Sequence, residues 1–165
     1  MTARFLETAD IVAAFVPVDM QTAANDGDWV NLQNFERCVA VLFKAIGTAG
    51  DDPVFTVKQA TDNAGSNAKA LNISTIWSKV GTLSGISGFT KNTQAAGATY
   101  TDAASAEAQA IMAVDILAEE LDSDGGFTHI QLSIPDVGGN AQLGCGFYIL
   151  LEPRTAGATV PSAIA

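Results

Sequence analysis

Apolar residues in this chain come in short runs, and Gly, Asp, Asn or Pro interrupts most of them within about ten positions. That punctuation predicts strands joined by turns. The clearest alternation lies at 128–134. Thr128, Ile130, Leu132 and Ile134 take one side there, and His129, Gln131 and Ser133 take the other. Pro135 and the 136–142 loop turn the chain. In the next strand, 144–151, Cys145, Phe147, Ile149 and Leu151 share a face. Residues 54–59 alternate too, with Phe55, Val57 and Gln59 opposite Val54, Thr56 and Lys58.

Other runs are apolar on both sides. Segment 38–46 (CVAVLFKAI) suits a strand covered on both faces, or one whose outer face meets a partner. Segment 11–20 is apolar and partly β-branched, and an amphipathic helix over 2–14 competes for its first half. A turn at Asn25-Asp26-Gly27-Asp28 leads to a short strand opened by Trp29, Val30 and Leu32, and 34–36 makes a corner. Gly47, Gly50, Asp51, Asp52 and Pro53 mark the next turn, and 61–67 reads as a polar loop. Leu71, Ile73 and Thr75 share a strand face, with Ile76 and Trp77 continuing the run. Segment 81–88 is broken by Gly and Ser, and 90–105 reads as an exposed loop.

Segment 103–121 carries competing signals. Its Ala, Glu, Gln, Met and Leu content favours a helix. Ile111, Met112, Val114, Ile116 and Leu117 also fit a doubly covered strand, with a helical turn at 118–121. The tail 155–165 is rich in Ala, Gly and Thr, and composition suits a frayed end and a docking arm equally. These segments together predict an all-β chain: a single-domain antiparallel β-sandwich or jelly-roll-like barrel over 1–154. Residues 1–14 form an N-terminal arm or helix, and 155–165 an extended C-terminal tail.

Composition supports a folded domain whose surface meets other proteins. Of 165 residues, 48% are hydrophobic and only 16% are charged, against a typical quarter. A charge-poor surface of Ala, Thr, Asn and Gly either lies against a partner or risks self-association. The net charge of −10, with basic residues scattered singly from Arg4 to Arg154, argues against direct nucleic-acid contact. No apolar stretch reaches the length of a membrane span or a signal peptide, so synthesis in a host cytoplasm is expected. Cys38 and Cys145 each sit in an apolar run and read as buried, reduced thiols.

Motifs for chemistry are sparse. The single histidine, His129, falls on the polar side of its strand, which suggests a solvated or interface residue rather than a general base. No Gly-x-Ser-x-Gly elbow, phosphate loop or dinucleotide fingerprint occurs. Asp122-Ser123-Asp124-Gly125-Gly126 resembles the first half of a calcium loop, but the later bidentate Glu is missing. Asp26-Gly27-Asp28 and Asp51-Asp52-Pro53 are similar acidic turns, and Asp and Gly suit turns for backbone reasons alone. Two Cys and one His are too few for a zinc site without carboxylates. No catalytic, cofactor or metal residue is therefore assigned, and an enzyme is not expected. Trp77 is expected in the core, and nothing decides the setting of Trp29.

Several phrases carry a resemblance. They are Asp26-Gly27-Asp28-Trp29-Val30-Asn31-Leu32, Gly50-Asp51-Asp52-Pro53, Val57-Lys58-Gln59-Ala60-Thr61-Asp62 and Ala68-Lys69-Ala70-Leu71. Later come Ala106-Glu107-Ala108-Gln109-Ala110, Glu120-Leu121-Asp122, Gly126-Phe127 and Tyr148-Ile149-Leu150 before Arg154. In this order, from about Val16 to Ile164, the chain resembles a family of small tailed-bacteriophage and prophage proteins encoded near head-assembly genes. These phrases are turn and strand patterns, not catalytic motifs. The resemblance implies a virion structural protein, a capsid decoration (cement) protein or a vertex head-spike base. Its expected partners are the major capsid protein or other virion proteins, with further copies of itself, in the phage head. It also favours the strand at 111–117. A tail or head–tail connector component and a carbohydrate-binding β-sandwich module are the alternatives.

Overall fold

In a computed structural model describing residues 4–85, 88–101, 108–155 and 162–164, the apolar runs become strands of two antiparallel sheets packed as a sandwich. A one-turn helix, α1 (Phe5–Thr8), leads into β1 (Ala9–Asp19). Then follow β2 (Asn25–Asp26), β3 (Val30–Asn31), β4 (Phe35–Lys44), β5 (Val54–Ala60) and β6 (Lys69–Ala70). The chain continues through β7 (Ile73–Gly81), β8 (Thr90–Gly97), β9 (Thr99–Thr101) and β10 (Gln109–Leu117). It closes with β11 (His129–Ile134) and β12 (Leu143–Pro153). The larger sheet has the order β1-β12-β4-β10-β7-β8. The smaller runs β2-β11-β5-β6, with β3 also on β11 and β9 on β5.

The core lies between the layers. Cys38, Ala40 and Leu42 of β4 and Met112, Val114 and Ile116 of β10 point inward from the larger sheet. Phe55, Val57, Ile130 and Leu132 meet them from the smaller. Segment 111–117 is a strand because it pairs on both sides, with β4 and with β7. Those ladders satisfy its backbone and bury alternate side chains, which outweighs its helix propensity. The single turn of 3₁₀ helix at Ala118–Glu120 follows as expected.

The expected grouping of Cys145, Phe147, Ile149 and Leu151 on one face of β12 holds, and that face is the outer one. Gly144, Gly146, Tyr148 and Leu150 are buried, while Cys145, Phe147, Ile149 and Leu151 are half-buried on the outside. The glycines make room for side chains from elsewhere. A Cβ on Gly146 would lie 2.6 Å from Phe15 Cε1 and 2.9 Å from Leu132 Cδ2, and one on Gly144 2.7 Å from Met20 Cε. Tyr148 crosses the core. Its hydroxyl donates to the Asp28 carbonyl at 2.9 Å and accepts from the Leu132 N–H at 2.7 Å. This link fills the gap between β2 and β3 on β11, where no ladder partner serves Leu132 N–H.

Further expectations change in the structure. Phe35 begins β4 rather than sitting in a corner. Helix α1 covers only part of 2–14, because β1 already pairs with β12 from Ala9. Much of 90–105 is strand: β8 pairs with β7, and β9 with β5, while 102–107 lie outside the described residues. A register shift between Ile73 and Thr75 buries both Ile73 and Ile76, so the shared face of Leu71, Ile73 and Thr75 does not hold. Strand β1 has two such shifts, between Ala13 and Phe15 and between Phe15 and Val18, and includes Pro17. Of the tail, Ala163 is buried against the same chain, its carbonyl accepting from the Asn31 N–H at 2.9 Å.

Candidate interaction face

The outward side of the larger sheet is built from residues that strand alternation forces away from the core. Register aligns them in rows. One runs Ala13–Phe147–Val41–Ala113–Trp77–Lys91 across all six strands. A second aligns Cys145, Phe43, Ile111 and Lys79, and a third Ile11, Ile149, Val39 and Asp115. Towards one end lie Leu151, Arg37 and Leu117. Ile11 is 53% exposed, Phe43 45%, Trp77 38% and Leu117 39%. Trp77 is thus an outer-face residue and not part of the core, because Ile76 and Ser78 take the inward positions beside it.

Charges on this face are few and mostly engaged. Arg37 grips Asp115 through two nitrogens, Nε and Nη2, each at 2.8 Å, and Nη1 lies 3.5 Å from Glu152. Lys91 Nζ sits 5.8 Å from the Trp77 ring centre and Lys79 Nζ 4.6 Å from that of Phe89. Among the described residues of these rows, with Glu152 beside them, three cations meet two anions, a balance of +1 in a chain of −10. The face is therefore apolar and nearly neutral on an acidic molecule. Contiguous patches of this kind occur at protein and membrane interaction sites and in ligand grooves, and otherwise are aggregation liabilities. An open depression of about 250 Å³, lined by Pro17, Phe43, Leu143 and Cys145 among others, adjoins it.

The chemistry-bearing residues do not converge. His129 is buried rather than solvated, with Nδ1 2.9 Å from Thr128 Oγ1. Burial lowers its pKa, and the charge of Asp62 opposes the shift. The whole polar side of β11 is roofed: Gln131 donates to the Gly27 carbonyl at 2.7 Å, and Ser133 bonds to Asp26. Strand alternation gave that side its polarity but not its cover. Hydrogen bonds from Ser133 and Lys58 hold the Asp26 carboxyl below its usual range, even against partial burial.

Both cysteines are free. Cys38 is buried and its thiol is pushed up by desolvation, whereas Cys145 is only half-buried, on the outer face. Asp122 closes its own turn. It accepts from Gly125 N–H at 3.0 Å and from Lys69, whose hydrogen bond lowers its pKa. Among the described residues, no three His, Cys, Asp or Glu gather as a ligand set. Trp29 is half-buried beside the left-handed Gly65, where a Cβ would lie 2.8 Å from the indole nitrogen. Among the described residues, no helix is long and apolar enough to cross a membrane.

The outer face was the feature least visible in the sequence. Its signal was present in 38–46, where apolarity on both sides allowed a partner on the outside.

No protein-family model matches the sequence, and no curated protein matches it. Among solved structures, the chain is similar to the SPBc2 prophage-derived protein YomS. The two share 11% identity at a TM-score of 0.43, over 86% of this chain and 92% of that one. That likeness is too slight to carry fold or function across.

Proposed function

We propose that this chain is a structural subunit of a tailed-bacteriophage particle, a capsid decoration (cement) protein or vertex head-spike base that binds the major capsid protein. The observation that carries the reading is the apolar outer face of the larger sheet, with Ile11, Phe43, Trp77 and Leu117 exposed on strands rather than on loops. The phage-family phrases in the sequence support it in kind. A subunit of this type works by adhesion and has no catalytic step. A rigid two-layer domain suits that task, because repeated copies on a lattice turn modest single contacts into tight attachment. The chain's acidity suits a position facing solvent, away from packaged DNA.

The test is co-sedimentation of the purified protein with phage heads that lack it, followed by cryo-electron microscopy. Saturable binding with extra density at lattice or vertex positions is expected. Heads that retain no protein would overturn the reading, and so would steady turnover of a small molecule by the purified chain.

A further inference from the structure

We propose that the apolar face of the larger sheet is occupied by a second copy of this chain, packed face to face about a two-fold axis that runs along the strands. The proposal rests on the reading above that this face is a protein interface, and it names the partner.

Area is the first argument. Six strands about 4.8 Å apart, each contributing roughly eight residues of about 3.3 Å, give a face of about 29 by 26 Å, or roughly 750 Å². A stable pair of standard size needs about 800 Å² from each partner. One face can therefore supply a whole interface without help from other surfaces. Two such sheets would stack about 10 Å apart, as layers in a sandwich do.

Charge is the second argument. Two acidic molecules repel least where each is least acidic, and the described residues of this face carry the +1 balance of Arg37, Lys79 and Lys91 against Asp115 and Glu152. Charge also selects the axis. Lys79 and Lys91 stand on β7 and β8, at one edge of the sheet. A two-fold axis across the strands sets β8 on β8 and gathers four ammonium groups along one edge. An axis along the strands, between β4 and β10, sets β8 over β1 and β7 over β12. The lysines then lie on opposite edges, Phe147 stands over Trp77 of the second copy, and Phe43 stands over its Ile111. The contact is isologous and closes at two copies.

The same geometry puts Cys145 of one copy over Lys79 of the other, since both belong to the row through Phe43 and Ile111. Within one chain these positions are three strands apart, about 14 Å. The two Cys145 thiols of a pair would be about 17 Å apart, from three strand spacings and one layer spacing. Cys38 is buried and does not compete.

Sedimentation of the full chain is expected to give twice the 17.0 kDa of one chain. Phe43→Lys and, independently, Ile11→Lys are expected to weaken self-association about 30-fold or more, with circular dichroism unchanged. Because these side chains are already exposed, either variant serves if the other misfolds. A bis-maleimide of about 10 Å reach, matching the layer spacing, is expected to join two K79C chains and to leave the wild type unjoined. A monomer at about 100 µM, a trimer or larger ring, or a dimer indifferent to both face variants overturns the proposal. So does cross-linking of wild type as efficient as that of K79C. A monomer that still binds phage heads would defeat this proposal alone, whereas a dimer that ignores heads would defeat only the proposed function.

Discussion

Replacing Tyr148 by Phe tests the link that ties the two layers together. The hydroxyl accepts the Leu132 N–H at 2.7 Å and donates to the Asp28 carbonyl at 2.9 Å. Leu132 is fully buried, so its N–H would be left without an acceptor, a loss of about 1–3 kcal/mol. Asp28 is exposed, so water recovers its carbonyl and that bond adds only about 0.5 kcal/mol. The expected total is about 2–3 kcal/mol, or a melting temperature about 5–10 °C lower for a chain of this size. Urea unfolding followed by Trp fluorescence should show a lower midpoint at an unchanged slope.

The pH dependence adds an internal check. Burial raises the Tyr148 phenol above its unfolded value of about 10. Its stabilising share is thus complete below pH 10 and is lost as pH rises further, by about 1.4 kcal/mol per pH unit. The Phe variant lacks this loss, so the gap between the two proteins should narrow by pH 11. A cost under about 0.5 kcal/mol at pH 7, or a gap that does not shrink at pH 11, would refute the assignment of Tyr148 as a buried, doubly bonded phenol.

Two further outcomes follow from packing and burial. Burial lowers the His129 pKa, so the folded chain takes up this proton at lower pH than the unfolded chain does; stability is full above the unfolded value of about 6.5 and falls below it. His129→Gln should flatten the urea midpoint between pH 7.5 and 5 relative to wild type, and parallel curves would contradict the burial. Gly146→Val should cost about 1–3 kcal/mol by forcing Phe15 aside. Combining it with Phe15→Ala should recover part of that loss in a double-mutant cycle, and strict additivity would show that the two sites do not touch.

The strand pattern was legible wherever polarity alternated or turn residues stood at the ends, as in 54–59 and 128–134. Direction was harder to read. At 144–151 the larger side chains marked the outer face, because Phe15, Met20 and Leu132 fill the space above Gly144 and Gly146 from distant parts of the chain. Size along one strand cannot reveal what another strand inserts. Trp77 misled for a related reason: in a run apolar on both sides, alternation fixes which residues share a face but not which face is inward. Strand β8 has little apolar signal because it is a sheet edge, and its strand character comes from pairing with β7. The apolar outer face had no motif at all. It arises only when β1, β12, β4, β10 and β7 are laid side by side.

The shape of β1 bears on how such a molecule behaves when crowded. An extended strand with free amides and carbonyls invites another chain to add on. Here that border is interrupted twice, includes Pro17, which has no N–H to donate, and has its Ala14 carbonyl already taken by the Asp28 N–H at 3.0 Å. Fibril-like growth from this side is thereby blunted. In the packing proposed above, crowded copies would meet through broad faces rather than by zipping rim to rim.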